Sequence, residues 1–185
     1  MTVELAIRLM ADFLVIPIVL IAAFLLVFTI PKGKRFAAYS RILMAGLTAY
    51  LIARFVSVIY QPEELRPFEL LGVDPGASYL NNPGFPSDHM LFVTALVCAV
   101  WFETRQKKIA FLLFLMAVLV GVGRVLAHVH TPLDVVGGVV IALIGALWYS
   151  TKPRNLEEHG HGKSSPRGSH RHRKDSRCAS AALHS

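Results

Sequence analysis

Charge is what this chain has little of. Only 17% of its 185 residues are Asp, Glu, Lys or Arg, while 54% are hydrophobic; a soluble domain carries about 25% charged residues. With a mean hydropathy of +0.52, the composition points to a membrane protein. Cysteine is nearly missing as well. Cys98 sits inside an apolar run and Cys178 near the end, so a disulfide framework is excluded. There is no strand-like alternation and no internal repeat. No acidic cluster suits magnesium, so neither a metal nor another cofactor is expected. The formal net charge of +7 belongs mostly to the end of the chain. From Thr151 onward eight Lys/Arg face three Asp/Glu, a net of +5, and the first 150 residues hold eleven and nine, a net of +2. The body therefore lacks the basic surface that a nucleic-acid partner requires.

What the chain does have is long apolar runs. A bilayer core of about 30 Å takes roughly 20 apolar residues in a helix, and five segments approach that. They are 13–30 with a kink expected at Pro17, 37–60 with the single charge Arg54, 90–102 extended back to Ser87, 109–127 with Arg124 near its end, and the glycine-rich 133–149. The spacing predicts an all-α bundle of five transmembrane helices over residues 1–150. The N-terminal run reads as a retained span and not a removed signal peptide. Lys32, Lys34, Arg35 and Arg41 follow the first span, Arg105, Lys107 and Lys108 the third, and Lys152 and Arg154 the fifth. The positive-inside rule puts these in the cytoplasm, with the N-terminus outside and the C-terminus inside. Residues 151–185, polar and rich in His and Arg, read as a disordered cytoplasmic tail.

The polar residues of interest all fall in the outward connections. Thr131-Pro132 reads as an N-cap followed by proline at the first helical position. That puts Asp134 in the first turn, within reach of the His130 ring. A carboxylate on one imidazole nitrogen leaves the other free as base or nucleophile. Arg124 lies six residues before His130, and His128 has no carboxylate four residues on. The same residues also fit an interfacial arginine beside a helix-capping aspartate. In "GFPSDHM", Ser87 is an N-cap candidate and Asp88 a first-turn acid. That is equally a plain helix start, or an anion seat with His89 beside it as a proton donor.

Taken in order, Arg66-Pro67, Pro86-Ser87-Asp88-His89 and "GRVLAHVHTPLD" (123–134) resemble the three-part signature of the type 2 phosphatidic acid phosphatase superfamily, across roughly residues 54–140. In that family His130 is the nucleophile that forms a phosphohistidine, Asp134 orients it, and His89 is acid and then base. Arg66, Arg124 and Ser87 hold the phosphoryl oxygens. Three positions depart from the pattern. Ile59 stands where the family has a lysine, for which Arg54 is the nearest substitute; Gly123 replaces a serine; and Asp88 replaces a glycine. Pro-Ser-Asp-His is similar to bacterial members resembling undecaprenyl diphosphate phosphatases, which makes Asp88 a candidate substrate contact.

The resemblance implies a metal-independent phosphatase in a bacterial plasma membrane, with its site on the extracytoplasmic face. Its partners would be the bilayer and a lipid phosphate or diphosphate. Undecaprenyl diphosphate is the leading substrate, ahead of phosphatidylglycerophosphate and phosphatidate. A lipid phosphotransferase and a non-catalytic lipid-phosphate binder are the alternatives.

Overall fold

The computed structural model describes residues 2–61, 65–79 and 84–151. The expected tail lies outside them apart from Thr151. Among the described residues every regular element is helical. In chain order they are α1 (Thr2–Arg8), a π-helical turn (Leu9–Phe13), α2 (Val15–Phe28), a 3-10 turn (Lys32–Lys34), α3 (Arg35–Ile59), α4 (Pro67–Leu71), α5 (Asp88–Glu103), α6 (Lys107–Leu126), α7 (Pro132–Gly145) and a closing 3-10 turn (Ala146–Thr151).

Four helical stretches are long and apolar enough to cross a membrane: Thr2–Phe28, Lys32–Ile59, Lys107–Leu126 and Pro132–Ser150. The first begins eleven residues earlier than the apolar run suggests. Glu4, Arg8 and Asp12 ride on the helix instead of preceding it. The irregularity that Pro17 demands falls one turn upstream. Proline cannot donate to the carbonyl four residues back and its ring crowds that carbonyl. The chain answers with a wide turn, in which Leu14 N–H reaches Leu9 O at 3.0 Å, the five-residue spacing of a π-bulge.

The segment expected as the third span behaves differently. α5 has 16 residues, about 24 Å at 1.5 Å per residue, so it is shorter than the four candidate spans and is not one of them. It packs against α2, α3, α6 and α7 and buries Met90, Leu91, Val93, Val97, Cys98, Ala99 and Val100. Its residues are apolar because they meet protein on most sides. At its C-terminal end Glu103 accepts two hydrogen bonds from Arg41, both 2.8 Å. This paired fork ties α3 to α5 at the end of the bundle that carries Lys32–Lys34 and Lys107. The starts of α5 and α7, the end of α6 and the N-terminal helix share the opposite end.

Candidate active site

The start of α7 is built as its sequence predicts. Thr131 is the N-cap and Pro132 the first helical residue. Thr131 Oγ1 accepts the Asp134 N–H at 3.2 Å and Asp134 Oδ2 accepts the Thr131 N–H at 2.8 Å, a reciprocal capping box. The carboxylate is therefore held before it meets the histidine. His130 Nδ1 lies 3.4 Å from the same Oδ2. That is within charge attraction, though without the alignment of a hydrogen bond, and Nδ1 has no hydrogen-bond partner among the described residues. Both residues are 5% exposed. Burial pushes the His130 ring below its ordinary pKa, and the contact with Asp134 pulls it partly back up. The lowered value favours the neutral ring, the form in which a histidine can act as a base or nucleophile.

α5 begins against this turn. The Ser87 N–H donates to the Asp134 carbonyl at 3.0 Å, and the Ser87 carbonyl accepts from Leu91 N–H at 3.0 Å. Ser87 occupies the N-cap, but its hydroxyl makes no capping hydrogen bond. Instead Oγ is buried without a partner among the described residues. This corrects the capping role expected of the side chain: the fold keeps the hydroxyl unspent. Asp88 and His89 follow, both half-buried. The charged groups whose fields reach His89 are Arg124, Asp12 and Asp88, with the His130 ring nearby.

Two arginines close the cluster. Arg66 precedes α4; its Nη1 donates to the Val129 carbonyl at 2.8 Å, one residue before His130. Its backbone N–H donates to Glu69 at 2.7 Å, and its guanidinium lies 5.2 Å from the centre of the Tyr79 ring. Burial pushes its pKa down, against the charges of Asp134, Glu69 and Asp88, but a guanidinium stays protonated through any such shift. Arg124 is 1% exposed. Its Nη1 donates to Asp12 Oδ1 at 3.0 Å and to the Ser78 carbonyl at 2.6 Å, while Nε is buried and unpartnered among the described residues.

His130, Asp134, Ser87, Asp88, His89, Arg66 and Arg124 thus meet at one end of the bundle. No contact among the described residues joins Arg54 to them. It is exposed on α3, its guanidinium 5.9 Å from the Tyr50 ring. His128, set aside on spacing, is exposed with φ 57° and contributes its backbone carbonyl to Phe68 N–H at 2.9 Å. The sequence reading missed Asp12, Ser78 and Tyr79. Of these only Asp12, a carboxylate heading an apolar run, left a readable signal. His130 Nδ1 is turned to Asp134, but two other buried polar atoms, Ser87 Oγ and Arg124 Nε, have no partner among the described residues, which is rare in a settled fold. Beside two arginines, they suit an oxyanion such as phosphate.

Comparison with known proteins agrees with that chemistry. The undecaprenyl-diphosphatase BcrC of Bacillus subtilis (strain 168) is 29% identical over 113 residues, 61% of this chain and 55% of the relative. The putative undecaprenyl-diphosphatase YbjG of Escherichia coli (strain K12) is 37% identical over 68 residues, 36% of this chain and 33% of the relative. The chain thus spans about half, and about a third, of the lengths of these curated relatives. No solved structure matches. The model of the PAP2 superfamily matches residues 38–157, a stretch that takes in both histidines, Asp134, Ser87 and both buried arginines, and the chain belongs to that superfamily.

Proposed function

We propose that the chain is a membrane lipid phosphatase that removes the terminal phosphate of a lipid diphosphate, with undecaprenyl diphosphate as its substrate. The observation that carries the reading is the meeting of a buried His130–Asp134 pair with Arg66, Arg124 and the unspent Ser87 hydroxyl. Both relatives are named for undecaprenyl diphosphate, and that favours this lipid over phosphatidylglycerophosphate or phosphatidate.

In this reading the terminal phosphate is held by the two guanidinium groups and the Ser87 hydroxyl. His130 attacks phosphorus through Nε2, the nitrogen remote from Asp134. The bond from phosphorus to the bridging oxygen breaks, and the lipid monophosphate leaves with a proton from His89. Asp134 stabilises the positive charge on the phosphorylated ring. His89, now a base, takes a proton from water, which attacks phosphorus; the bond from phosphorus to His130 Nε2 breaks, its electron pair returns to the ring, and inorganic phosphate is released. Positioning and charge stabilisation carry most phosphoryl-transfer catalysis, and here the protein's own cations supply both. Asp88, whose charge is felt by both Arg66 and His89, tempers the positive field. Arg54 has no part. The cationic end of the bundle, with Lys32, Lys34, Arg35, Lys107 and Lys108, faces the cytoplasm by the positive-inside rule. That leaves the N-terminus and the site on the extracytoplasmic face of the cell membrane, with five crossings in all.

The test is phosphate release from undecaprenyl diphosphate by purified protein in detergent, with and without a chelator. The His130→Ala variant and phosphatidate as an alternative substrate run alongside. Chelator-resistant release that vanishes in His130→Ala is expected. No release from any lipid phosphate, or equal release by the variant, overturns the reading.

A further inference from the structure

The N-terminal helix brings a carboxylate to the site from outside the family-matched stretch of residues 38–157. Asp12 lies in the π-helical turn, and its two oxygens are both used. Oδ1 accepts from Arg124 Nη1 at 3.0 Å and Oδ2 accepts the Ser78 N–H at 2.9 Å. Because Arg124 Nη1 also donates to the Ser78 carbonyl, Asp12, Arg124 and Ser78 form a closed ring. It joins the N-terminal helix, α6 and the loop after α4. Arg124 is almost fully buried, and a buried cation needs a counter-charge at hand. Among the described residues, Asp12 is the carboxylate at ion-pair distance from it.

The neighbour of Arg124 explains how the helix comes so close. A Cβ on Gly123 would lie 2.7 Å from the Ala11 nitrogen and 2.9 Å from the Met10 carbonyl carbon. Only a bare backbone lets Met10 and Ala11 rest there, and Asp12 is the next residue. The wide turn ahead of Pro17 and the missing side chain at position 123 are thus parts of one contact.

We propose that Asp12 is a positioning residue for substrate phosphate, holding one edge of the Arg124 guanidinium so that its remaining donors face the lipid's phosphate. The inference rests on the lipid-phosphatase reading and makes the N-terminal helix a working part of the site. Asp12 does two things through Arg124: it fixes the rotamer, and it balances the charge so that the guanidinium stays in place before substrate arrives.

The experiment uses the full chain in detergent as wild type, Asp12→Ala, Asp12→Asn, Arg124→Lys and the Asp12→Ala/Arg124→Lys double variant. Two quantities are read on each: kcat and KM on undecaprenyl diphosphate, and affinity for inorganic phosphate by calorimetry. Asp12→Ala is expected to raise KM and to weaken phosphate binding by about 10- to 100-fold, the range usual for groups that orient a binding residue without touching its ligand. In the Arg124→Lys background the same change costs no more than about twofold, because the effect passes through Arg124. Wild-type binding by Asp12→Ala, or losses that simply multiply in the double variant, overturn the inference. If Asp12→Ala does not fold, Asp12→Asn, which keeps one acceptor, takes its place in the cycle. A wild type that releases no phosphate sinks the phosphatase reading alone, since phosphate affinity still decides for or against Asp12.

Discussion

A single oxygen, Asp134 Oδ2, serves both the Thr131 N–H at 2.8 Å and the His130 ring at 3.4 Å. The helix cap and the orientation of the histidine are therefore one feature. The backbone fixes the carboxylate, and the carboxylate then faces Nδ1, so the ring's other nitrogen is left for chemistry.

From this follows a pH signature. Burial holds the His130 pKa below its ordinary 6.5, with Arg124 and Arg66 pushing the same way and Asp134 opposing. On the proposed phosphatase mechanism the neutral ring then persists below pH 6.5, and the acidic limb of kcat/KM lies under that value. Removing the opposing charge by Asp134→Asn lowers the ring's pKa further, so the limb moves to lower pH. The rate meanwhile falls by about 10²–10⁴-fold, as orientation and charge stabilisation are lost. A folded pKa below the unfolded one also means that this part of the stability is full above about 6.5 and is lost as pH falls through the folded value. A pH–rate profile of both proteins checks the shift, and a limb moving upward in Asp134→Asn contradicts it.

Ser87 offers a cleaner separation of structure from function. A hydroxyl that capped α5 would cost about 1 kcal/mol when removed. Here Oγ bonds to nothing among the described residues, so Ser87→Ala leaves the melting temperature unchanged or raises it. The loss appears in KM, by roughly 10-fold or more for a hydrogen bond to a charged oxyanion. Thermal melts beside steady-state kinetics measure both, and a lower melting temperature with unchanged KM refutes the assignment.

How much of this could be read beforehand depended on distance along the chain. His130 and Asp134 are four residues apart and sit at a helix start whose Thr-Pro cap is a local signal, so both were legible. Arg124 was legible as a charge in an apolar run, but its partner Asp12 lies 112 positions away. Hydropathy treats Asp12 as the edge of a span and gives it no destination. The central place of α5 was hidden as well. A helix apolar on all faces reads alike whether lipid or four neighbouring helices surround it. Arg54 shows the reverse case. A charge within a span invites a functional reading, yet α3 turns this one outward over Tyr50.

That placement predicts a quiet substitution. Arg54→Gln changes kcat/KM by less than about twofold, since an exposed cation–π contact is worth only about 0.5–1 kcal/mol. Arg66→Gln, by contrast, removes a buried cation beside His130 and costs at least about 10²-fold. The two are assayed in parallel, and a large loss in Arg54→Gln would return that residue to the site.

The far end of the bundle should answer to stability alone. Arg41 and Glu103 pair at 2.8 Å with side-chain exposures of 15% and 3%. Glu103→Gln removes the counter-charge but keeps one acceptor, and lowers stability by about 1–3 kcal/mol, with KM unaffected because the pair is a helix length from His130. A thermal melt reads the first and kinetics at low temperature the second.

Gly138 joins packing to catalysis most directly. A Cβ there would stand 2.7 Å from the Ser87 carbonyl, 3.0 Å from the Leu91 nitrogen and 3.1 Å from Met90 Cβ. The first two are backbone atoms that cannot swing aside, so Gly138→Ala forces α5 away from α7. The casualty is the 3.0 Å link from Ser87 N–H to the Asp134 carbonyl, which sets Ser87 and His89 against His130. Displacing catalytic groups by about 1 Å can cost about 10²-fold in rate, so kcat should fall by that order in Gly138→Ala. Gly46→Ala is the control, since a Cβ there meets nothing within 4 Å. In the interior of α3 it should gain about 0.5–1 kcal/mol at unchanged rate. If both variants are equally active, the α5–α7 contact does not set the geometry of the site.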